Sequence, residues 1–214
     1  MTEEIIDRLA QFDAATIHEA QGKTGALPER IRPIDPHMTV VGRAFTVDTR
    51  PGDNLAMHLA VEDADPGQVL VINAHNSRRA GAWGDILTAF AQKNGLAGLV
   101  IDGAVRDTEQ IMKMGFPVFA SGVSIRGTSK AYPGDRGQQV TLDGQVVSTG
   151  DYILGDRDGV VVVAARDIEA VLQSAQRRVE AEQEYRVAIE SGVSTVDLLD
   201  LRRDAVVKQG KGHD

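Results

Sequence analysis

Two short segments carry residue types suited to chemistry on small anions. The first is Trp83-Gly84-Asp85-Ile86-Leu87. A glycine at the opening of a helix lets a ligand approach the backbone. The free N–H groups of the first turn then point at an anion, which the helix dipole favours. A carboxylate fits such a nest as well as a phosphate does. A plainer use of the same residues is to open a helix, with Asp85 countering its dipole. The second segment is Ile101-Asp102-Gly103-Ala104-Val105-Arg106-Asp107, which follows an apolar run directly. Arg106 can fork onto a carboxylate or a developing oxyanion. Asp107 is a hard oxygen ligand suited to Mg²⁺ or Mn²⁺. Asp102 can cap the turn or support Arg106. The plainer alternative is a strand-end turn with a structural Arg–Asp pair.

The spacing adds what neither segment supplies alone. Each follows a buried β-run, and they lie about 22 residues apart with a helix between. In a β-α-β unit with parallel strands, that spacing brings both to one edge of the sheet, where ligands gather beyond the strands' carboxyl ends. One site then offers an anion nest, a guanidinium and two to three carboxylates, a composition suited to a metal-bound oxo acid. Neither motif contains a lysine, which speaks against a Schiff base.

Other candidates are weaker. His18, His37, His58, His75 and His213 show no metal-ligand spacing, and His58 with Glu62 reads as a helix face. Asn73-Ala74-His75-Asn76 sits at a strand end, where it either lines a pocket or satisfies a turn. Ser121-Gly122-Val123-Ser124 lacks the strand–turn–helix context of a nucleophile elbow. Gly22-Lys23-Thr24 lacks the glycine loop of a phosphate-binding motif and reads as a bend.

The elements that must position these residues follow from periodicity and punctuation. Helices are expected over Glu3–Gln11, Thr16–Gln21 (capped by Asp13), Asp53–Asp63, Ala82–Asn94, Thr108–Gly115, Asp167–Glu190 and Val196–Arg203. Strands are expected over Val40–Thr49, Val69–Asn73, Gly98–Asp102 and Pro117–Ala120. A β-meander is expected from Gln139–Leu142, Gln145–Ser148, Tyr152–Leu154 and Val160–Val163, with Asp143-Gly144 as a hairpin turn. Gly22–Pro36 reads as an irregular connection, and Lys208–Asp214 as a frayed tail. The fold class is α/β, with a core over residues 1–166 and a helical arm over 167–214 that packs on a neighbouring subunit.

Composition narrows the function classes. The 214 residues suit one sizeable domain, and 42% hydrophobic with 25% charged is ordinary globular usage. With no cysteine, disulfides, thiolate nucleophiles and zinc–thiolate sites are excluded. A net charge of −8 repels nucleic acid, and basic residues cluster only at Arg177–Arg178 and Arg202–Arg203. Neither a signal peptide nor a membrane-spanning run is seen, so the cytoplasm is the default location and no membrane partner is expected.

The run Ala82 to Leu87, then Gly98 to Asp107, then Gly115-Phe116-Pro117-Val118-Phe119-Ala120, resembles the RraA-like family. Gly150-Asp151, Asp156 and Asp158 to Val162 match its strand pattern, and the resemblance spans about Ala14 to Leu199. That family includes the 4-hydroxy-4-methyl-2-oxoglutarate / 4-carboxy-4-hydroxy-2-oxoadipate aldolases and the regulators of ribonuclease E activity. The resemblance implies a swivelling-type β/β/α fold with a long C-terminal helical arm, assembled as a homotrimer or homohexamer with sites between subunits. It implies a lyase that cleaves (retro-aldol) or decarboxylates small 2-oxo acids to pyruvate through an enolate, with Mg²⁺ or Mn²⁺ as cofactor. Backbone N–H groups of Gly84, Asp85, Ile86 and Leu87 would bind the substrate carboxylate. Arg106 and Asp85 would act in catalysis, with Arg106 also contacting substrate, and Asp107 would hold the metal. Glu182 of a neighbouring subunit, with Glu180 as a rival, would support the metal through water. The alternative implied by the same family is a non-catalytic regulator that binds a protein partner. The regulators are shorter and lack the arm, so the long stretch after Val163 favours the enzyme branch. Asn73 to Arg79 matches no aldolase pattern and bears on substrate choice.

Overall fold

The computed structural model describes residues 2–201. Four consecutive strands form its centre: β2 (Val40–Asp48), β3 (Gln68–Trp83), β4 (Gly98–Val105) and β5 (Val118–Val123), all parallel. A helix links each pair: α3 (Leu55–Asp63), α4 (Asp85–Lys93) and α5 (Thr108–Met114). Such links are required because parallel neighbours cannot be joined by a tight turn. Antiparallel strands extend both sides. β1 (Arg32–Pro33) pairs with β5, while β9 (Tyr152–Asp156) pairs with β2 and with β10 (Gly159–Val163). The order is β1-β5-β4-β3-β2-β9-β10, with the short β6 (Asp135–Arg136) on the end of β2. The fold is therefore α/β around a mixed sheet, with a C-terminal helix.

Strand alternation assigns the core. Leu70, Ile72, Leu99 and Ile101 face α3, α4 and α5, meeting Met57, Val61, Leu87, Ala91 and Ile111. Val69, Val71 and Val100, one step out of register, face the opposite layer with Phe119, Val140, Leu142 and Val147. The last three come from a separate hairpin, β7 (Val140–Leu142) and β8 (Gln145–Val147), turned by Asp143-Gly144 with both residues at positive φ. Since β9 leaves this hairpin to join the main sheet, the expected meander is not formed. A third cluster packs α1 (Thr2–Leu9) and α2 (Ala14–Ala20) against Leu154, Val161 and Val163, together with Ile168, Val171, Leu172 and Ala175 of α6 (Ile168–Glu190). Asp13 caps α2 through Thr16 N–H at 2.6 Å.

The chain divides after Ala175 into two compact units, so the opening turns of α6 belong to the first. The second carries the rest of α6 and α7 (Thr195–Leu198), capped by Ser194. The expected helix to Arg203 ends earlier, and its last two residues, like Lys208–Asp214 and His213, lie outside the described residues. Among the described residues no helix is long and apolar enough to cross a membrane.

Two expectations near the candidate site are corrected. The strand expected to stop at Asn73 runs on to Trp83, and α4 begins at Asp85 rather than Ala82. The reason is pairing: Gly81 and Trp83 sit opposite Ala104 and Val105, so Ala82 and Trp83 are strand. The alternation that would have revealed this is broken by His75 and Asn76, both at positive φ, and by successive register shifts. For the same reason β4 continues to Val105 instead of ending at Asp102.

Candidate active site

The carboxyl ends of β3 and β4 bring the two motifs together. Arg106 N–H donates to the Trp83 carbonyl at 2.8 Å, tying the strand ends side by side. Trp83 is fully buried and stacks on Phe116 at 6.5 Å. Its indole N–H donates to the Thr88 hydroxyl at 2.8 Å, and that hydroxyl donates to the Gly84 carbonyl at 3.0 Å. The opening turn of α4 is thereby fixed to the end of β3.

Gly84 is the N-cap of α4. Its backbone is extended, so conformation does not demand glycine there; space does. A Cβ would lie 2.4 Å from Asp107 Oδ2 and 3.1 Å from Arg106 Nε. Asp107 stands in the left-handed region (φ 54°) at the N-cap of α5, which turns its carboxylate back toward α4. Asp107 Oδ2 accepts from Asp85 N–H at 3.4 Å and lies 3.3 Å from Arg106 Nε. The Asp85 carboxylate accepts from Ile86 N–H at 2.8 Å. Two first-turn N–H groups thus face carboxylate oxygens of the protein itself.

Gly84 and Arg106 border a cleft of about 200 Å³ that is lined also by Ala82, Ile86 and Leu87, together with Asn54, His58 and Lys130. The last three were not singled out from the sequence as site residues. Asn54 Nδ2 donates to the Ala82 carbonyl at 3.0 Å, which leaves its buried Oδ1 without a partner. Burial first, and the positive charge of Lys130 second, hold His58 below its ordinary value, which favours the neutral imidazole. The spacing of Asn54 and His58 marks one face of α3 and was a legible signal. Lys130 lies in a loop with no periodicity to mark it. The absence of lysine from the two motifs therefore does not extend to the cleft.

Other residues fall elsewhere. Asp102 does not support Arg106. It is buried, and both its oxygens take Arg30, through Nε at 2.9 Å and Nη2 at 2.8 Å. Asp102, and then Asp143, raise the Arg30 pKa. Asn73–Arg79 does not line the cleft. Its polar groups serve one another and Asp48: His75 Nε2 lies 2.8 Å from Asp48 Oδ1, Asn73 Nδ2 donates to Asp48 Oδ2 at 3.3 Å, and Arg78 Nε donates to Asn76 Oδ1 at 3.0 Å. In the second unit, Glu182 pairs with Arg178 at 2.9 Å, and Glu180 accepts from Gln176 at 2.8 Å. Side-chain oxygens at or next to the cleft include Asn54 Oδ1 in its wall and the Asp107 carboxylate, which lies against Arg106 and Gly84, with Asp85 following Gly84 in the α4 opening turn. Among the described residues no three His, Cys, Asp or Glu side chains converge as a metal cage.

The family model for RraA-like proteins (Aldolase/RraA) matches residues 2–162. The chain belongs to the RraA-like family. It is 33% identical over 199 residues to a Halalkalibacterium halodurans protein named "Putative 4-hydroxy-4-methyl-2-oxoglutarate aldolase", covering 92% of this chain and 95% of that one. Among solved structures, an uncharacterized Pseudomonas syringae protein superimposes with a TM-score of 0.82 at 29% identity, covering 91% of this chain and 92% of the other. Streptomyces coelicolor RraAS2, described as an unusual member of the RNase ES inhibitor RraA family, gives a TM-score of 0.75 at 27% identity, covering 86% and 97%.

Proposed function

We propose that this chain is a class II, divalent-metal-dependent lyase that releases pyruvate from small 2-oxo acids, by retro-aldol cleavage of a 4-hydroxy-2-oxo acid or by decarboxylation of oxaloacetate. The observation that carries the reading is the glycine-opened turn at Gly84 facing Arg106 and Asp107 across a gap that a single Cβ would close. The name of the Halalkalibacterium relative points to the same chemistry.

The donor set suits Mg²⁺ or Mn²⁺, which need one or two carboxylates and fill their remaining positions with water and substrate. Asp107 would hold the ion and Asp85 would orient its water. Glu182 of a neighbouring copy in a trimer or hexamer would do the same. When bound, the ion supplies Lewis acidity toward the 2-oxo group. The chain's own residues do the rest. The N–H groups of the α4 opening turn hold the substrate's 1-carboxylate once the Asp85 side chain swings off Ile86 N–H. Arg106 faces the carboxylate or carbonyl oxygen at the far side of the breaking C–C bond and offsets its charge. As that bond breaks, its electrons pass to the pyruvate fragment as the enolate; the other fragment leaves as a carbonyl compound, its 4-hydroxyl giving up its proton to water, or, from oxaloacetate, as carbon dioxide, and the enolate takes a proton from water to become pyruvate. Asn54 Oδ1 is a fixed acceptor at the cleft wall for a substrate hydroxyl or a water.

The test is pyruvate release from oxaloacetate and from 4-hydroxy-4-methyl-2-oxoglutarate, with Mg²⁺ or Mn²⁺ and again with excess chelator. Metal-dependent release from either is expected, and none above the metal-only background sinks the reading. Because Lys130 lines the cleft, borohydride is added during turnover. No covalent trapping is expected, and a trapped adduct on Lys130 would replace the metal route by a Schiff base. A second reading, a regulator that binds a nuclease, is favoured by one observation. RraAS2 aligns over 86% of this chain, so length beyond the core does not set the enzymes apart. Nuclease binding without pyruvate release would establish that reading.

A further inference from the structure

Asp53 is a carboxylate only 4% exposed, and its partners are neutral donors. Oδ1 accepts from Leu55 N–H at 2.9 Å, at the start of α3. Oδ2 accepts from the Ser129 hydroxyl at 2.5 Å and from Ala131 N–H at 2.8 Å. Backbone bonds reinforce the junction: Ser129 N–H donates to the Gly52 carbonyl at 2.9 Å, and Asn54 N–H donates to the Ser129 carbonyl at 3.1 Å. Burying a charge is costly, and an amide of the same shape would offer one acceptor oxygen instead of two. What the second oxygen adds here is a simultaneous hold on α3 and on a segment more than seventy positions away. The residue between Ser129 and Ala131 is Lys130, the cleft cation that faces His58 and Arg106.

We propose that Asp53 is a positioning residue that holds Lys130 in the cleft by gripping the loop on both sides of it. The placement stands on geometry alone; its consequence for turnover rests on the lyase reading. The loop has no regular structure of its own between Val123 and the Asp53–Ser129 bridge, and past Lys130 its tie to the start of α3 is the Asp53 carboxylate at Ala131 N–H. Neighbouring Tyr132 carries the Arg50 guanidinium at 4.0 Å over its ring, a second tie on the same side.

The experiment follows the His58 titration by NMR in the full chain, for wild type, Lys130→Met, Asp53→Asn and the double variant. The charged groups around His58 are Lys130 and Arg106 in the cleft and Glu62 one turn along α3. Removing the Lys130 charge should move the His58 midpoint up. Asp53→Asn should move it up by a similar amount, and the double variant no further. Loss of the Asp53 charge by itself would move the midpoint down, so an upward shift means either that Lys130 has left or that His58 has lost some of its burial. The double variant separates the two: it rises no further than Lys130→Met only if Lys130 has left, and a further rise overturns the proposal. An unchanged or lowered midpoint in Asp53→Asn overturns the proposal, as does an unchanged midpoint in Lys130→Met. Should Asp53→Asn fail to fold, Ser129→Ala removes one grip alone and should give the same upward shift at reduced size; no shift there overturns the proposal too. Where pyruvate release is measurable, Asp53→Asn and Lys130→Met should lose the same fold of turnover. Absent turnover in the wild type would sink the lyase reading and leave the His58 result standing.

Discussion

Gly84 shows how a single absent methyl group can separate stability from activity. Its φ of −147° and ψ of −169° are open to any residue, so alanine imposes no backbone strain. The nearest atom to the added Cβ is the carboxylate end of Asp107, at 2.4 Å, with Arg106 next. Both are side chains that can yield, and neither is core. Gly84→Ala should therefore leave the melting temperature within a few degrees, while displacing the groups that face the substrate. A displacement of that order is expected to lower kcat by about 10²-fold. Steady-state pyruvate release read beside a thermal melt checks both halves, and a variant with full activity would remove Asp107 from its role. Arg106 gives the complementary case. Its side chain is partly exposed and, among the described residues, pairs with Asp107. Arg106→Ala should retain the fold and lose about 10²- to 10³-fold in turnover, the range for removing one stabilising donor. Arg106→Lys, which keeps the charge without the fork, should recover only part of that loss.

The element that aims these residues is the junction of β3 with α4, and its strength rests on Thr88. That hydroxyl accepts from the Trp83 indole and donates to the Gly84 carbonyl in a fully buried setting. Thr88→Val keeps the shape and strands a buried N–H, which should cost about 1–3 kcal/mol. Trp83 is the sole tryptophan, so its fluorescence reports denaturant unfolding of this junction without interference. The α3 junction has a pH signature of its own. Burial pushes the Asp53 carboxyl up, but the Ser129 hydroxyl and the N–H groups of Leu55, Ala131 and Tyr132 outweigh it and hold it at about 2, below its ordinary 3.8. Its contribution is thus complete above pH 3.8 and is lost as pH falls toward 2. The stability gap between wild type and Asp53→Asn, read from urea midpoints, should narrow across that window. The sequence made some of this legible and hid the rest. Helices α3, α5 and α6 lie close to where spacing and caps predicted them, and Gly84, Asp85, Arg106 and Asp107 converge because a β-α-β unit brings successive strand ends to one edge. The reach of β3 was hidden because His75 and Asn76 interrupt its alternation. Lys130 was hidden because tertiary hydrogen bonds to Asp53, with no local pattern, deliver it to the cleft.

At the scale of the whole molecule, the decisive question is whether one chain holds a full set of donors. Ile125 is 92% exposed, Ile86 73% and Val123 63%, and Ile86 borders the cleft itself. Apolar side chains this open beside a polar site suit burial against another protein surface. In the proposed trimer or hexamer that surface is a second copy, which would bring its Glu182 to the site of the first. Two variants test this together. Arg106→Ala removes a donor from the cleft, and Glu182→Ala removes one from the C-terminal unit. Each alone should be nearly inactive. If every site draws Arg106 from one copy and Glu182 from the next, mixing the two variants under exchange restores sites that have both. Random assembly of equal amounts restores about a quarter of the sites, since each required residue is present with even odds. If both residues act within one chain, no mixed assembly contains an intact site, and the mixture stays as inactive as its parts. Sedimentation of the mixture confirms that the copies have associated and exchanged. With that established, the recovered fraction of pyruvate release distinguishes a shared site from a self-contained one.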